Sequence, residues 1–331
     1  MNTLAPVGIC TYTRIEKLRL AIDALKFDAL AQQSELFIFS DAARTGDESK
    51  VDEIRRYISA VQGFKKVTPV FQEKNDPCAN TYTAYRKLTS RFGKSIFLED
   101  DIVVSPHYLT FMNKALDVYK DDLRVFSVGG YVPHGGFATG HNADTVFSKI
   151  YCPWGAGIWE NRLRLSNIVD WTGFFSDHQN RRAVSSQLSY LGKQISGRFL
   201  RWCERGVQEN DLYRVGDLIM TIIMMQQGMV TVLPRKSLVR NIGLDSSGMH
   251  TSGADSKRYE ITLDSSFIPQ RFASNAIVTK DLDKELYLLN SYSKKKSGLS
   301  RLYYLMSREI KYLRCRLSKP DFKTSNKEVH H

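Results

Sequence analysis

Cysteine is sparse and scattered in this chain. The five in 331 residues (Cys10, Cys78, Cys152, Cys203 and Cys315) include no CxxC pair and leave an odd one over. That pattern excludes a disulfide framework or a structural zinc cluster and is expected of free thiols in a reducing compartment. Long apolar runs are missing too. The longest, Leu218 to Met225, is interrupted by Thr221 and falls far short of the roughly 20 residues that cross a bilayer. No transmembrane helix is expected. The opening Met-Asn-Thr-Leu-Ala-Pro has neither a basic stretch nor a cleavable apolar one, so no secretory signal is expected either. There is no internal repeat. With 42% apolar and 25% charged residues, the composition excludes a disordered chain, a collagen and a coiled-coil rod.

Charge is unevenly placed. The formal net charge is +12, and Ser291–His331 alone holds eleven Lys/Arg against Glu309, Asp321 and Glu328. Within that segment Leu299, Leu302, Tyr303, Met306, Ile310, Leu313 and Leu317 step by three or four, which gives one apolar helical stripe. Arg301, Arg308, Lys311, Arg314 and Arg316 crowd the other faces, after the cluster Lys294-Lys295-Lys296. A basic amphipathic helix of this kind is expected to lie on an anionic membrane surface. Docking on the protein's own core is the alternative, and nucleic acid is the less favoured partner.

The first 130 residues alternate between apolar strands and amphipathic helices. Strands are expected at Val7–Thr11, Leu36–Ser40, Val67–Phe71, Ser95–Leu98 and Val125–Val128. Helices are expected at Glu16–Leu25, after an Asp47 cap, at Asn80–Phe92, and from a Ser105 cap with Pro106 in its first turn. Such units build a mostly parallel sheet covered on both faces, with its ligand at the carboxyl ends of the strands. Those ends carry Thr11-Tyr12-Thr13-Arg14, Ser40-Asp41 and Glu99-Asp100-Asp101. From Tyr131 to about Thr251 the pattern is irregular and aromatic, with a helix near Tyr213–Gln227 and a strand at Val230–Leu233.

Three adjacent carboxylates repel one another, and a folded chain keeps them beside a cleft mainly when a cation neutralises them. Oxygen-only donors favour Mg²⁺ or Mn²⁺. A solvated loop paired with surface lysines is the plainer reading of the same residues.

The strand ending in Glu99-Asp100-Asp101 resembles the acidic metal-binding motif of GT-A-fold glycosyltransferases, in the form seen in the N-acetylglucosaminyltransferase I-like branch and in bacterial polysaccharide transferases. The likeness spans roughly residues 5–252 and rests on Val7–Arg14, Phe39–Asp41, Phe97–Asp101, Trp154–Arg162 and Leu233–Thr251. Ser237 and Met249 depart from the last block, where such enzymes carry Asn and often Thr. The resemblance implies a doubly wound GT-A-type α/β sheet. Residues 1–130 would form the nucleotide-sugar half and 131–253 the acceptor half, with 254–331 a linker and basic extension.

It further implies roles. Asp101 would ligate Mn²⁺ or Mg²⁺, with His250 as a second ligand or phosphate contact. Asp100 would lie beside the sugar or ribose, and Glu99 would support the strand end. Thr11, Tyr12 and Arg14 would grip the nucleotide, Arg14 by a forked contact to phosphate, with Arg86 a weaker phosphate candidate. Asp41 would accept the imino hydrogen of uracil, which favours a UDP-sugar donor; capping or turn formation is its other reading. Trp154 and Gly155, with Trp159 and Arg162, would meet a sugar ring or else pack in the core. The base that takes the acceptor proton would be Asp217, in Gly216-Asp217-Leu218 just before an apolar stretch, or Asp211. The expected activity is inverting transfer from a UDP-sugar to a saccharide or lipid-linked saccharide at the cytoplasmic face of a bacterial membrane, in surface polysaccharide assembly. A sugar-nucleotide nucleotidyltransferase and a non-catalytic membrane-binding protein are the alternatives.

Overall fold

A computed structural model of the chain describes residues 3–137, 142–167, 171–208, 212–245, 259–274, 278 and 280–290. The chain divides into two compact units, 1–291 and 292–331, and the second lies outside the described residues. His250, Asp211 and the basic amphipathic segment therefore fall outside them as well. Among the described residues no helix is long and apolar enough to cross a membrane, and Cys10, Cys152 and Cys203 are free thiols.

The strands are β1 (Val7–Thr11), β2 (Glu35–Ser40), β3 (Lys66–Phe71), β4 (Lys94–Glu99), β5 (Ile102–Val104), β6 (Val125–Gly129), β7 (Thr145–Ser148), β8 (Ala156–Trp159), β9 (Val230–Pro234) and β10 (Val239–Asn241). Eight form one sheet in the order β3-β2-β1-β4-β8-β6-β9-β7, and β5 pairs with β10 in a small second sheet. Only β7 and β8 run against the others in the large sheet. From β1 the chain winds outward to β2 and β3, then returns to β4 on the opposite side of β1. That reversal opens a crevice at the carboxyl ends of β1 and β4.

Alternation along the strands explains the double winding. Leu36 and Ile38 share a core with Leu18 and Ile22 of α1 (Ile15–Lys26) and with Ile54 and Ile58 of α2 (Glu48–Ala60). Phe37 and Phe39 point the other way, to Ala84 and Leu88 of α3 (Pro77–Phe92). Successive side chains of a strand face opposite sides, so this sheet needs helices on both. Gly8 lets α3 approach: a methyl group there would lie 2.7 Å from Leu88 Cδ1.

The helix α4 (Tyr108–Val118) starts later than the expected Ser105-Pro106 opening. Its first turn is closed from a distance, by Asp28, which accepts the Leu109 N–H at 2.7 Å and lies 3.3 Å from the Thr110 nitrogen. Asp47 does stand at the start of α2, but its carboxylate makes no cap there; it accepts the Tyr12 hydroxyl at 2.9 Å instead.

The irregular stretch holds α5 (Glu160–Leu163), α6 (Trp171–Ser176), α7 (His178–Leu188), α8 (Lys193–Gln208) and α9 (Leu212–Gln226). Beyond Gly253 the described chain still belongs to this unit. Asp144 holds Arg271 at 2.9 Å. The helix Lys280–Asn290 is pinned through buried Asp283, which accepts from Tyr190 Oη at 2.6 Å and Lys149 N at 3.0 Å.

Candidate active site

The crevice between β1 and β4 gathers most of the residues singled out in the sequence. Thr11 Oγ1 donates to Asp100 Oδ2 at 2.8 Å. Arg14, at the start of α1, forks onto two acids: one guanidinium nitrogen meets Asp101 Oδ2 at 2.7 Å and the other meets Asp100 Oδ1. The fork expected to meet a phosphate makes Arg14 the counter-ion of the acidic pair. Asp100 and Asp101 are almost wholly buried. Even so, no donor among the described residues reaches Asp101 Oδ1, a buried oxygen. A buried charged oxygen without a donor is costly.

The segment Asn241–Gly243 seals the other side of Asp101. Ile242 N–H donates to the Asp101 carbonyl at 2.8 Å, Gly243 N–H to Asn241 Oδ1 at 2.6 Å, and Lys17 Nζ to the Ile242 carbonyl at 2.9 Å. A Cβ on Gly243 would sit 2.7 Å from Asp101 Cγ and collide with its carboxylate. Glycine is required here by close approach. Gly243→Ala should therefore displace the Asp101 side chain at a cost of about 1–3 kcal/mol. A thermal melt checks this, and an unchanged midpoint would contradict the packing.

Electrostatics set this corner apart. Burial, then Asp101 and Asp217, pushes the Glu99 carboxyl up to about 8, against the pull of Arg14. Asp100 is raised to about 6, again by burial first, with Arg14 and the Thr11 hydroxyl opposing. Burial raises Asp217 to about 7. α9 begins at Leu212, close to the helix expected near Tyr213–Gln227, and Asp217 lies in its second turn, where its charge is felt by Glu99.

Beside this corner, Asp41 accepts N–H groups from Ala42 at 2.9 Å and Asp76 at 3.1 Å, and Asn75 Nδ2 at 3.1 Å. Asn75 also takes Arg44 Nε at 2.7 Å. The Tyr12 hydroxyl accepts the Arg44 N–H at 3.0 Å while donating to Asp47. Tyr12, Asp41, Arg44 and Asn75 thus form one polar wall at the ends of β1 and β2. Asn75 had no signature in the sequence.

Two of the singled-out positions lie in other surroundings. Arg86 is exposed on α3, where it donates to the Tyr82 hydroxyl at 2.9 Å and stacks over that ring; it makes none of the contacts at the acidic corner. Trp154 is buried edge-on against Tyr131, with centroids 4.7 Å apart. Trp159 Nε1 donates to the Leu116 carbonyl at 3.1 Å beneath the Arg162 guanidinium. The tryptophan block is core. Its glycine answers an internal need: Gly155 has φ +68°, and a Cβ there would press on Val239 Cγ1 at 2.9 Å.

The chemistry fits a divalent cation. Carboxylate oxygens are hard donors, one of them lacks a partner among the described residues, and burial raises the neighbouring Glu99 and Asp100 carboxyls above their ordinary range. No group of three or more His, Cys, Asp or Glu among the described residues is arranged as a metal site. An ion here would draw its remaining ligands from water and a bound anion, as Mg²⁺ commonly does.

No protein-family model matches the sequence, and no curated protein matches it. Several solved structures are similar in part. A crystal structure of residues 1–349 of TarS from S. aureus aligns at 11% identity and a TM-score of 0.35, covering 50% of this chain and 49% of that one. The same protein with UDP aligns at 13% and 0.29, covering 43% and 39%. The mannosyltransferase PcManGT from Pyrobaculum calidifontis, in complex with GDP-Man and Mn²⁺, aligns at 12% and 0.38, covering 67% and 73%. This chain thus spans about half or less of the TarS chains. What it has in its own right is a doubly wound, mostly parallel α/β sheet with Glu99, Asp100, Asp101 and Arg14 gathered at its switch point.

Proposed function

We propose that the protein is a divalent-cation-dependent glycosyltransferase that moves a sugar from a UDP-sugar to a saccharide or lipid-linked saccharide, with inversion, in bacterial surface polysaccharide assembly. The observation that carries this reading is the buried Asp101 Oδ1, left without a donor in a corner where β1 and β4 part. A diphosphate with its cation is the kind of ligand that would satisfy it.

Asp101 would hold Mn²⁺ or Mg²⁺, which when bound neutralises charge on a departing diphosphate, with Asp100 beside the sugar or ribose. Arg14 would then be released from its two carboxylates to fork onto a phosphate. Asp41 and the Tyr12–Asn75 wall would receive the base, with Asp41 Oδ2 accepting the uracil imino hydrogen. Asp217 would take the proton of the acceptor hydroxyl as that oxygen attacks the anomeric carbon, on the side opposite the leaving group.

A thermal-shift panel tests the reading. UDP-sugars should raise the melting temperature in the presence of Mn²⁺ and much less in its absence, whereas GDP- and CMP-sugars should not. A flat panel would sink the proposal.

The basic segment 292–331 extends it to place. We take the protein to sit at the cytoplasmic face of the cell membrane, each Lys or Arg near anionic lipid contributing about 1 kcal/mol. Deleting residues 292–331 should release the protein from phosphatidylglycerol vesicles in a flotation assay and leave the UDP-dependent thermal shift intact. Continued flotation would reject the anchoring role.

A further inference from the structure

The proposed base and the acidic corner belong to different elements, α9 and β4, and a line of hydrogen-bonded groups, three of them side-chain hydroxyls, runs between them. Tyr85 Oη on α3 lies 3.1 Å from Tyr151 Oη. The Tyr151 main-chain N–H donates to Thr221 Oγ1 at 3.1 Å. Thr221 Oγ1 in turn donates to the carbonyl of Asp217 itself, at 3.0 Å, one helical turn back. At the far end the Tyr85 ring stacks on Phe97, centroids 4.2 Å apart, and Phe97 lies two residues before Glu99 on β4. Thr221 and Tyr151 are 0% and 3% exposed.

Pairing of buried hydroxyls is ordinary; the end points of this line are not. It begins on a ring packed against the strand that delivers the acidic triplet and ends on the main chain of Asp217. Resting on the transferase reading above, we infer that Tyr85, Tyr151 and Thr221 are positioning residues that fix the span between the Asp217 carboxylate and the acidic corner, and so govern the transfer step rather than donor binding. None of them need touch substrate. A base displaced by about 1 Å loses on the order of 10²-fold in rate, so a few buried hydroxyls suffice.

Among the described residues, the groups that interact electrostatically with Asp217 are Glu99 from β4, Tyr85 from α3, and Tyr151 and Cys152 from the loop before β8. Altering the line moves Asp217 against these groups, so the acid limb of the kcat–pH profile should move with it.

The experiment compares full-length wild type with Thr221→Val, Thr221→Ser, Tyr151→Phe and Tyr85→Phe. Thr221→Val and Tyr151→Phe should lower kcat about 10- to 100-fold and shift the acid limb, leaving donor KM and Mn²⁺-dependent UDP affinity within about twofold. Thr221→Ser, which keeps the hydroxyl, should restore kcat. If Thr221→Val does not fold, the two tyrosine variants decide the matter alone. Unchanged kcat with an active wild type would overturn the positioning role and leave the transferase reading standing. A uniform fall in kcat, UDP affinity and melting temperature would reduce the line to a structural role. Absence of wild-type turnover with every nucleotide sugar would overturn both.

Discussion

Asp101→Asn should abolish Mn²⁺-dependent UDP binding and cut kcat/KM by about 10³-fold or more. Asparagine keeps the size and one acceptor oxygen but gives up the charge, and a cation is held here by charge. The substitution also weakens the Arg14 contact at 2.7 Å, so the free arginine would no longer be shared between two acids. Titration calorimetry with UDP, with and without Mn²⁺, separates these effects. A loss confined to the Mn²⁺-containing titration is the expected result. If the variant binds UDP with Mn²⁺ as tightly as wild type, the cation is held elsewhere and the assignment of this corner fails.

Asp217→Asn should give the opposite pairing of effects: donor binding kept, transfer lost by about 10²- to 10⁴-fold in kcat. It should also stabilise the protein. Burial holds the Asp217 carboxyl at about 7, against 3.8 for an unhindered aspartate. Between those values the folded chain keeps a proton that the unfolded chain has released, so stability falls as pH rises through that window. Asparagine escapes the cost, which suggests a gain of about 1–3 kcal/mol at neutral pH and above and none at about pH 4. The wild-type rate should climb through the same pH range as the base ionises, and the residual rate of the variant should not. Melts at two pH values, together with a pH–rate profile, check all of this. A near-normal rate for Asp217→Asn would remove it as the base.

Asp101 stood out in the sequence because Glu99-Asp100-Asp101 follows Ile96-Phe97-Leu98 without a neutralising residue, whereas Asp217, just before the apolar run that starts at Leu218, was singled out by resemblance. The strands β1, β2, β4, β6 and β9 were legible because strands buried on both faces read as nearly unbroken apolar runs, and the half-exposed edge strand β3 because Val67, Val70 and Phe71 keep some of that character. β5, β7, β8 and β10 escaped, since three or four residues such as Ala156–Trp159 carry too little pattern to be distinguished from loop.

What stayed hidden depends on partners far along the chain. Arg14 was singled out by resemblance as a phosphate contact, but its pairing with acids 86 and 87 positions away shows only in the fold. For the Trp154 block the sequence left open a sugar ring or the core, and its rings are buried, the ordinary preference of large aromatics. Tyr85, Tyr151 and Thr221 are unremarkable singly, and only tertiary contact joins them.

Asp28 carries a last consequence. The opening amides of α4 are satisfied from 81 residues upstream, and the lead into β1 is tied to the same helix, Ala5 N–H donating to Asn113 Oδ1 at 2.8 Å. The first thirty residues and α4 must therefore be in place together before either is complete. Synthesised or excised alone, the N-terminal third would lack the partner that orders its end, so assembly of this unit must await contacts between distant parts of the chain, the kind that close slowly.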